Sequence, residues 1–310
     1  MSLLLNLLEW LLISGVILVV GLLVYLRTRD LSFKKSFSRE RRDFIGILVA
    51  SLLVIALVSL ELLKNRLAIN TQTLRETYPE LSMSEIFLTI PYIKSRVYLE
   101  EALLNRKSYR DWKREPIDIE DLSIILWSSY GVVENIDGWF RRTSPSAGAT
   151  YPMEIYVVVG SESIRFRGSF LEAGVYKYNP VRHSLKLVRK GDFREELYRA
   201  ALYQEWVRDA PVSIVICAVY ERTTRVYGER GYRYVYMEAG HVGQNIYLMT
   251  TALGLGTVAI GAFIDSEVAR VINAERDESP LYIFPVGVPR DRFINSFESI
   301  KRFYEMMRSE

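Results

Sequence analysis

Two long apolar runs open the chain, and shorter helical and extended patterns follow them. Trp10–Leu26 and Phe44–Leu60 each contain 17 residues without a charged side chain. A helix of that length spans roughly 26 Å, close to the thickness of the hydrocarbon core of a bilayer. The pattern therefore predicts a transmembrane hairpin over residues 1–64; the alternatives are a signal peptide for the first run or two buried core helices.

Residues 65–90 are mixed in charge and weakly periodic, so they are interpreted as a linker that leads into a domain over residues 91–310. In that domain the spacing of apolar residues predicts helices at Val97–Arg106, Ile117–Tyr130, Phe193–Trp206, Tyr234–Leu253 and Ser266–Asn273. Apolar runs and alternating patterns predict strands at Glu154–Val159, Gly174–Asn179, Ser184–Val188, Ser213–Tyr220, Thr257–Phe263 and Leu281–Val286. This mixture indicates an α+β fold, a sandwich in which helices flank a central sheet.

Several positions beside these elements carry local signals. Asp118 and Ser266 are predicted helix N-caps, and Gly254 is predicted to follow the longest helix as its C′ residue. That helix, Tyr234–Leu253, is apolar or small over most of its surface, so it is predicted to be buried or to pack against a partner subunit. His183 lies beside a turn and is predicted to be exposed.

The composition narrows the classes of function. The net charge of the chain is only +3, which gives no general argument for nucleic-acid binding. Much positive charge lies in residues 27–42, between the two apolar runs, where seven Lys or Arg accompany two acidic residues. Cys217 is the single cysteine and the chain has two histidines, so no metal site and no hydrolytic triad is predicted.

A short loop of small residues is the most informative motif in the chain. Pro145, Ser146, Ala147 and Gly148 lie in the sequence RTSPSAGATYP and precede an apolar strand. Small side chains let a flat ligand approach the backbone, whose N–H groups can then donate hydrogen bonds to that ligand. The motif therefore predicts a binding loop at the start of a central strand.

This loop belongs to a series of motifs in a fixed order. Asn105–Arg110 reads NRKSYR ahead of it, and Gly231–Gly261 and Pro285–Pro289 follow it. Over roughly residues 90–289, the series resembles the nitroreductase-like FMN flavoproteins, and most closely their SagB-type dehydrogenase branch. The resemblance implies an α+β sheet flanked by helices, and an intimate homodimer with flavin mononucleotide (FMN) at the subunit interface.

The resemblance also implies how the basic segment would contact FMN. Arg106, Lys107 and Ser108 would hold phosphate or ribityl oxygens, and Arg110 would approach the N1/O2 side of the flavin. The residue types suit that task, since arginine offers forked donors, lysine a point charge and serine a hydroxyl donor. The alternative is a solvated helix end whose cations complement the helix dipole.

Two further contacts come from backbone groups. By resemblance, the loop of Pro145, Ser146, Ala147 and Gly148 would run along the flavin pyrimidine ring. The N–H of Gly261 or Ala262 would reach flavin N5. Many nitroreductases carry an asparagine where this chain has Ala149, whereas the SagB-type branch prefers the small form found here.

FMN would carry the redox chemistry, so the chain is predicted to be a membrane-anchored oxidoreductase that exchanges hydride with a small organic substrate. NAD(P)H is a candidate electron donor, and Tyr227 is the candidate catalytic residue, as a proton donor. In SagB-type enzymes that oxidise azoline rings in peptides, a Lys–Tyr pair occupies this place, but here Val226 precedes the tyrosine. Peptide azoline oxidation is therefore one alternative, and a flavin-binding membrane sensor or scaffold without turnover is another.

The side of the membrane stays open at the level of sequence. The positive-inside rule places residues 27–42 in the cytoplasm and the flavin domain outside. A reductase supplied with cytosolic nicotinamide would need the opposite orientation. An outer domain would instead draw electrons from a membrane quinone or another carrier.

Overall fold

A computed structural model describes residues 85–309, so the predicted hairpin over residues 1–64 lies outside the described residues. In chain order the strands are β1 (Glu85–Phe87), β2 (Ile117–Asp118), β3 (Val132–Ile136), β4 (Trp139–Arg142), β5 (Met153–Val159), β6 (Ile164–Phe166), β7 (Ser169–Phe170), β8 (Gly174–Asn179), β9 (Ser184–Lys190), β10 (Val212–Ala218), β11 (Gly256–Thr257) and β12 (Ser279–Gly287). The helices are α1 (Leu99–Asn105), α2 (Ile119–Tyr130), α3 (Arg194–Ala200), α4 (Glu205–Asp209), α5 (Tyr220–Tyr227), α6 (Arg230–Ala252), α7 (Asp265–Ile272) and α8 (Phe297–Ser309). Across residues 85–309, no helix combines the length and the apolarity that crossing a membrane requires.

Seven of the described strands form the main sheet, in the spatial order β1-β9-β8-β5-β10-β12-β11. All neighbouring strands in this sheet pair antiparallel. β5 and β10 lie inside the sheet and are almost entirely buried, as their nearly continuous apolar runs predict. β1 forms one edge, so the sheet begins within the segment that the sequence pattern indicates as a linker.

Helices cover both faces of this sheet. On one face, α2 and α6 share a buried apolar cluster with Ile155 and Val157 of β5. On the other face, α3 and α7 share a second cluster with Tyr156 and Val158 of the same strand. Successive side chains of a strand point to opposite faces, which is why one strand contributes to both clusters. The predicted α+β sandwich with a central sheet is confirmed.

The ends of some predicted elements differ from the structure. Asp118 is the N-cap of α2, as predicted, but its carboxylate accepts from Arg165 at 2.6 Å and makes no capping hydrogen bond. Gly254 follows the C-cap of α6 with φ 74°, as predicted for a C′ glycine. The predicted cap Ser266 is wrong, because α7 begins at Asp265.

The predicted helix Phe193–Trp206 is wrong in its middle. The chain forms α3 and α4 there, with an irregular turn between them. Leu202 and Tyr203 in this turn both have left-handed backbone angles, with φ of 56° and 59°. That conformation costs roughly 1–2 kcal/mol for each L-residue, and no right-handed helix continues through it.

The predicted strand Thr257–Phe263 is mostly irregular. Only β11, at its start, pairs continuously with β12. Ala259 does not pair with β12, because its N–H donates to the phenolic oxygen of Tyr247 at 2.8 Å. A single bridge between Ile260 and Ile283 restores the pairing. The two residues that follow this bridge are exposed at the surface.

A buried polar cluster joins β5, β8 and the turn before β12. The side chain of Glu278 is only 2% exposed, and it forms an ion pair with Lys177. The hydroxyl of Tyr156 donates to the same carboxylate at 2.5 Å. Burial and this hydrogen bond raise the pKa of Tyr156, so the phenol stays protonated and remains a donor. Glu275 contacts the same lysine at 3.0 Å, but its side chain is 70% exposed.

Glu278→Ala is expected to lower the free energy of unfolding by about 3 kcal/mol, because it leaves the buried Tyr156 hydroxyl without its acceptor and removes the buried carboxylate that pairs with Lys177. Glu275→Ala is the matched control. It removes a solvated carboxylate from the same ammonium, and the expected loss is below about 1 kcal/mol. Chemical denaturation of the two variants measures the difference. Equal losses would show that burial does not determine the strength of these contacts.

His183 is half-buried and fully hydrogen-bonded, so the prediction that it is exposed is wrong. Its Nδ1 lies 2.8 Å from the hydroxyl of Tyr178. Its Nε2 lies 2.8 Å from the hydroxyl of Ser123 and 3.0 Å from the carbonyl oxygen of Thr89. Burial lowers the pKa of the imidazole, although the contact with Thr89 opposes the shift. The neutral ring therefore joins the segment after β1 to α2 and to the β8–β9 hairpin.

This histidine is expected to make the free energy of unfolding depend on pH. Its folded pKa lies below the unfolded value of about 6.5, so the unfolded state binds more protons between the two values. The contribution of His183 is complete above about pH 7 and is lost as the pH falls through the folded pKa. Denaturation of His183→Asn between about pH 5 and pH 7.5 should lack this component. Asparagine tolerates the left-handed backbone at this position, where φ is 47°.

His241→Asn is the control for that measurement, because His241 lies exposed on α6. It removes an exposed imidazole and leaves every contact of His183 in place. A His183→Asn curve that runs parallel to that of the wild-type protein would contradict the assignment.

Candidate functional site

The helix α6 runs through the candidate site, and the basic segment contacts one side of it. The hydroxyl of Ser108 lies 2.8 Å from that of Tyr247, and the guanidinium carbon of Arg106 lies 5.2 Å from the centroid of the same ring. A bridge to β11 holds Ser108 in extended backbone. Side chains alternate there, so Lys107 points away, with its ammonium 5.5 Å from the Phe293 ring. The structure therefore brings Arg106 and Ser108 together and separates Lys107 from them.

Arg110 and the predicted N5 donors lie near α4. The guanidinium carbon of Arg110 lies 5.5 Å from the ring of Trp206. Just before α4, the side chain of Gln204 donates to the carbonyl oxygen of Ala262 at 3.0 Å. Gly261 and Ala262 are both exposed, and neither N–H has an acceptor within residues 85–309. These two N–H groups can therefore donate to a ligand.

The basic segment carries positive charge that the described part of the chain does not neutralise. Among residues 85–309, no carboxylate lies within ion-pair distance of Arg106, Lys107 or Arg110. Guanidinium, ammonium and hydroxyl donors without a carboxylate partner suit a phosphate dianion. The donor set therefore fits the phosphate of FMN.

The predicted binding loop forms a tight turn against α5. Gly148 has φ 58°, in the left-handed region that favours glycine. A Cβ at this glycine would lie 2.5 Å from the hydroxyl oxygen of Tyr227, so the missing side chain also makes room for the tyrosine. The ring of Tyr227 packs edge to face on Tyr234, with 5.1 Å between centroids. The structure thus places the candidate catalytic residue directly against the predicted flavin loop.

A buried carboxyl group, absent from the sequence predictions, lies on α6 near this loop. Glu238 is 2% exposed and accepts a hydrogen bond of 2.5 Å from the hydroxyl of Tyr130. The oxygen of Ser146 in the loop accepts from the N–H of Tyr151 at 2.9 Å. Burial raises the pKa of Glu238, against the opposing effects of the nearby hydroxyl groups of Ser146 and Tyr130 and of the Arg142 charge. Glu238 is therefore a desolvated carboxyl group that faces the loop from the helix.

The sequence predictions missed two residues of the site, Glu238 and Tyr247, and the sequence contains a signal only for the first. Glu238 lies in register with Val235 and Val242 on the buried side of α6, and a carboxyl group in such a row needs a buried partner. Tyr247 gave no comparable signal. Its contact with Ser108 joins positions 139 residues apart, which helical periodicity cannot reveal.

The two groups of predicted flavin residues contact opposite sides of α6. Glu238 and Asn245 are seven residues, or about two turns, apart, and Asn245 donates to Ser144 beside the loop at 3.1 Å. Tyr247 is nine residues from Glu238, which corresponds to a rotation of about 180° and a rise of about 14 Å. Within one chain, the loop therefore meets one side of the helix, whereas Arg106 and Ser108 meet the other side.

This fold and this site agree with a family known from other proteins. The nitroreductase family model matches residues 103–288, which is more than half of the chain. The chain therefore belongs to the nitroreductase family and is an oxidoreductase enzyme. The predicted nitroreductase-like α+β fold is confirmed, and the individual flavin contacts stay predictions.

Three relatives illustrate the similarity. Protein MJ1384 of Methanocaldococcus jannaschii, whose name places it among the nitroreductases, is 48% identical over 195 residues, 62% of this chain and 91% of that protein. The microcin B17-processing protein McbC of Escherichia coli is 32% identical over 151 residues, 47% of this chain and 54% of McbC, so the match spans about half of that protein. A crystal structure of a Ralstonia eutropha protein, titled as a nitroreductase, has a TM-score of 0.57 at 28% identity, covering 67% of this chain and 90% of that one.

Proposed function

We propose that the chain is an FMN-dependent oxidoreductase that exchanges two electrons with a small organic substrate. The observation that carries the proposal is that Arg106 and Arg110 form no ion pair among residues 85–309, while the N–H groups of the exposed Gly261 and Ala262 have no acceptor there. Arg106 and Ser108 would hold the phosphate, Arg110 the N1/O2 side and the N–H groups the ring. When bound, FMN supplies the redox chemistry, and the protein positions the substrate and excludes competing reactions.

The complete site is proposed to form between two copies of the chain. Loop 145–148 and the basic segment meet opposite sides of α6, so a second copy would bring its loop to the basic segment. Gly240 supports this arrangement, because no atom of residues 85–309 lies within 4 Å of a Cβ built there, although glycine within a helix costs about 0.5–1 kcal/mol relative to alanine. A closely packed partner helix explains the glycine. Gly240 is also about two turns from Tyr247, on the same side of α6 as the basic segment.

The C-terminal helix α8 gives further support for a second copy. None of its residues is buried. Phe297, Tyr304 and Met307 lie on one side of the helix and are each about half exposed. An amphipathic helix of this kind needs an apolar surface to cover it. The homodimer proposed for the flavin site would supply that surface.

Tyr227 is proposed to donate a proton to the substrate during reduction. Its support is the position of the hydroxyl against Gly148 of the binding loop. The residue is 37% exposed, so a substrate can reach it. NADH or NADPH is the proposed electron donor.

Oxidation of azoline rings in peptides is the second candidate. It is favoured by the likeness to McbC, which is named as a microcin B17-processing protein. Val226 argues against it, because a valine replaces the lysine that the resemblance places before Tyr227. Val226 is 61% exposed on α5, so packing does not exclude a lysine at that position. The reduction of a small organic acceptor therefore remains the leading function.

Anchoring in a membrane is a further part of the proposal. Residues 1–64 would form the hairpin, residues 65–90 the linker and residues 91–310 the flavin domain. The two charge-free apolar runs and the basic segment at residues 27–42 support it, and the basic segment favours a flavin domain on the outer side.

Anaerobic turnover tests the proposed function. The detergent-purified full chain is loaded with FMN and mixed with NADH or NADPH, and the flavin absorbance is followed. Bleaching that a quinone or a nitroaromatic compound reverses would support the leading function. Bleaching by an azoline peptide without nicotinamide would support the second function. Bound flavin that no donor bleaches would indicate a sensor or scaffold without turnover.

A further inference from the structure

Arg142, the last residue of β4, is a cation without an acceptor in the described part of the chain. Its guanidinium carbon lies 4.3 Å from the ring centroid of Tyr130 and 4.8 Å from that of Tyr151. Its Nε is buried and has no hydrogen-bond partner, and within residues 85–309 no carboxylate forms an ion pair with it. A buried donor of this kind is destabilising unless something accepts from it. The guanidinium therefore carries a charge that no carboxylate of these residues pairs with.

Arg142 lines a pocket of ≈ 560 Å³ at the edge of the main sheet. The other charged side chains around this pocket are Lys177, Lys186, Arg222, Glu85 and Glu154. They come from β1, β5, β8, β9 and α5, so five separate elements direct charge into one space. Tyr178, Pro180 and Val181 add apolar surface to the same wall.

Most of these charges are already paired within the chain. Glu154 and Glu85 each form an ion pair with an arginine, at 2.5 Å and 2.8 Å. Lys177 is held by the buried carboxylate of the β5–β8 cluster. Arg142 and Lys186 form no ion pair among residues 85–309, although Lys186 lies opposite Glu85 in the β1–β9 register and Glu85 pairs with an arginine. The pocket therefore has two positive charges to offer a ligand.

We propose that this pocket binds a small anion through a carboxylate or phosphate group, with Arg142 and Lys186 as its charged contacts. A guanidinium fork can donate to two oxygens of either group, and a lysine ammonium adds a mobile point charge. The contacts of the Arg142 guanidinium with the rings of Tyr130 and Tyr151, which lie edge to face to each other, restrain the fork. The apolar part of the wall suits a short organic ligand. None of the residues assigned to FMN lines this pocket.

Isothermal titration of the full chain with succinate and with inorganic phosphate, at constant ionic strength, tests the proposal. Saturable binding of one anion per chain is expected, and Arg142→Gln and Lys186→Gln should each weaken it by about tenfold or more. A stronger response to succinate would indicate a carboxylate ligand, and a stronger response to phosphate a phosphorylated one. The chain is titrated with saturating FMN present, so that phosphate does not occupy the proposed flavin site and the measured binding belongs to the pocket.

Arg141→Gln is the matched control. Arg141 is the neighbouring residue on β4, but its side chain is 63% exposed and pairs with Glu134 at 2.9 Å. The control should bind the anions as the wild-type protein does. If Arg142→Gln does not fold, the test rests on Lys186→Gln alone. Lys186 is exposed, so its replacement should not disturb folding. Absence of saturable binding, or equal effects of Arg141→Gln and the pocket variants, would overturn the proposal.

Discussion

Replacing Arg106 by alanine is expected to weaken FMN binding about thirtyfold. Its guanidinium lies over the ring of Tyr247, on the same side of the segment as the hydroxyl of Ser108, and no described carboxylate neutralises it. Loss of a hydrogen bond to a charged group costs about 2 kcal/mol, which gives the expected change in Kd. Titration of flavin-free protein with FMN, followed by flavin fluorescence, measures the effect.

Lys107→Ala is the matched comparison for that variant. The lysine carries the same charge in the same segment, but its ammonium lies beside Phe293, away from Tyr247. It should weaken FMN binding only through the loss of long-range attraction, which salt screens. An unchanged Kd for a folded Arg106→Ala variant, or a larger loss for Lys107→Ala, would contradict the assignment of the phosphate contact to Arg106.

Gly240→Trp is expected to separate the proposed homodimer and to remove bound flavin with it. A bulky side chain has room in a single chain, since no atom of residues 85–309 lies within 4 Å of a Cβ at this position. It would block a helix that packs closely against α6, and a site completed by a second copy would then stay open. Light scattering with the detergent mass subtracted measures the mass of the complex, and the absorbance spectrum reports the flavin content.

Glu196→Trp provides the control for the added bulk, because Glu196 is exposed on α3, on the other face of the sheet. It should leave mass and flavin content unchanged. A Gly240→Trp protein that stays dimeric with full flavin would contradict the proposed interface. A monomer that retains flavin would show that one chain completes the site alone.

Local patterns were sufficient to predict the centre of the fold. β5 and β10 are apolar apart from one polar residue each, because helices cover both faces of the sheet. The run of apolar and small residues predicted α6 from Tyr234 onward, and the helix begins four residues earlier, at Arg230. The break between α3 and α4 was not predictable in this way, because Leu202 and Tyr203 adopt left-handed angles that their residue types disfavour.

The candidate site was predicted as a set of motifs but not as an arrangement. The motif Arg106–Arg110 and the loop around Gly148 are visible in the sequence, because basic and small residues are unusual enough to be noticed. Their placement on opposite sides of α6 depends on Tyr247 and Glu238, whose partners are distant in the chain. Successive side chains of an extended segment point to opposite sides, so Lys107 and Arg106 lie on different sides of it. The sequence alone does not show that this segment is extended.

The absorbance spectrum of the detergent-purified full chain shows whether the chain binds FMN. We expect a flavin spectrum, with FMN identified after release at about one per chain. Arg106→Ala should carry less flavin in the same preparation. Protein that contains no flavin, and binds none after incubation with FMN, would contradict both the assignment of the basic segment and the proposed oxidoreductase chemistry.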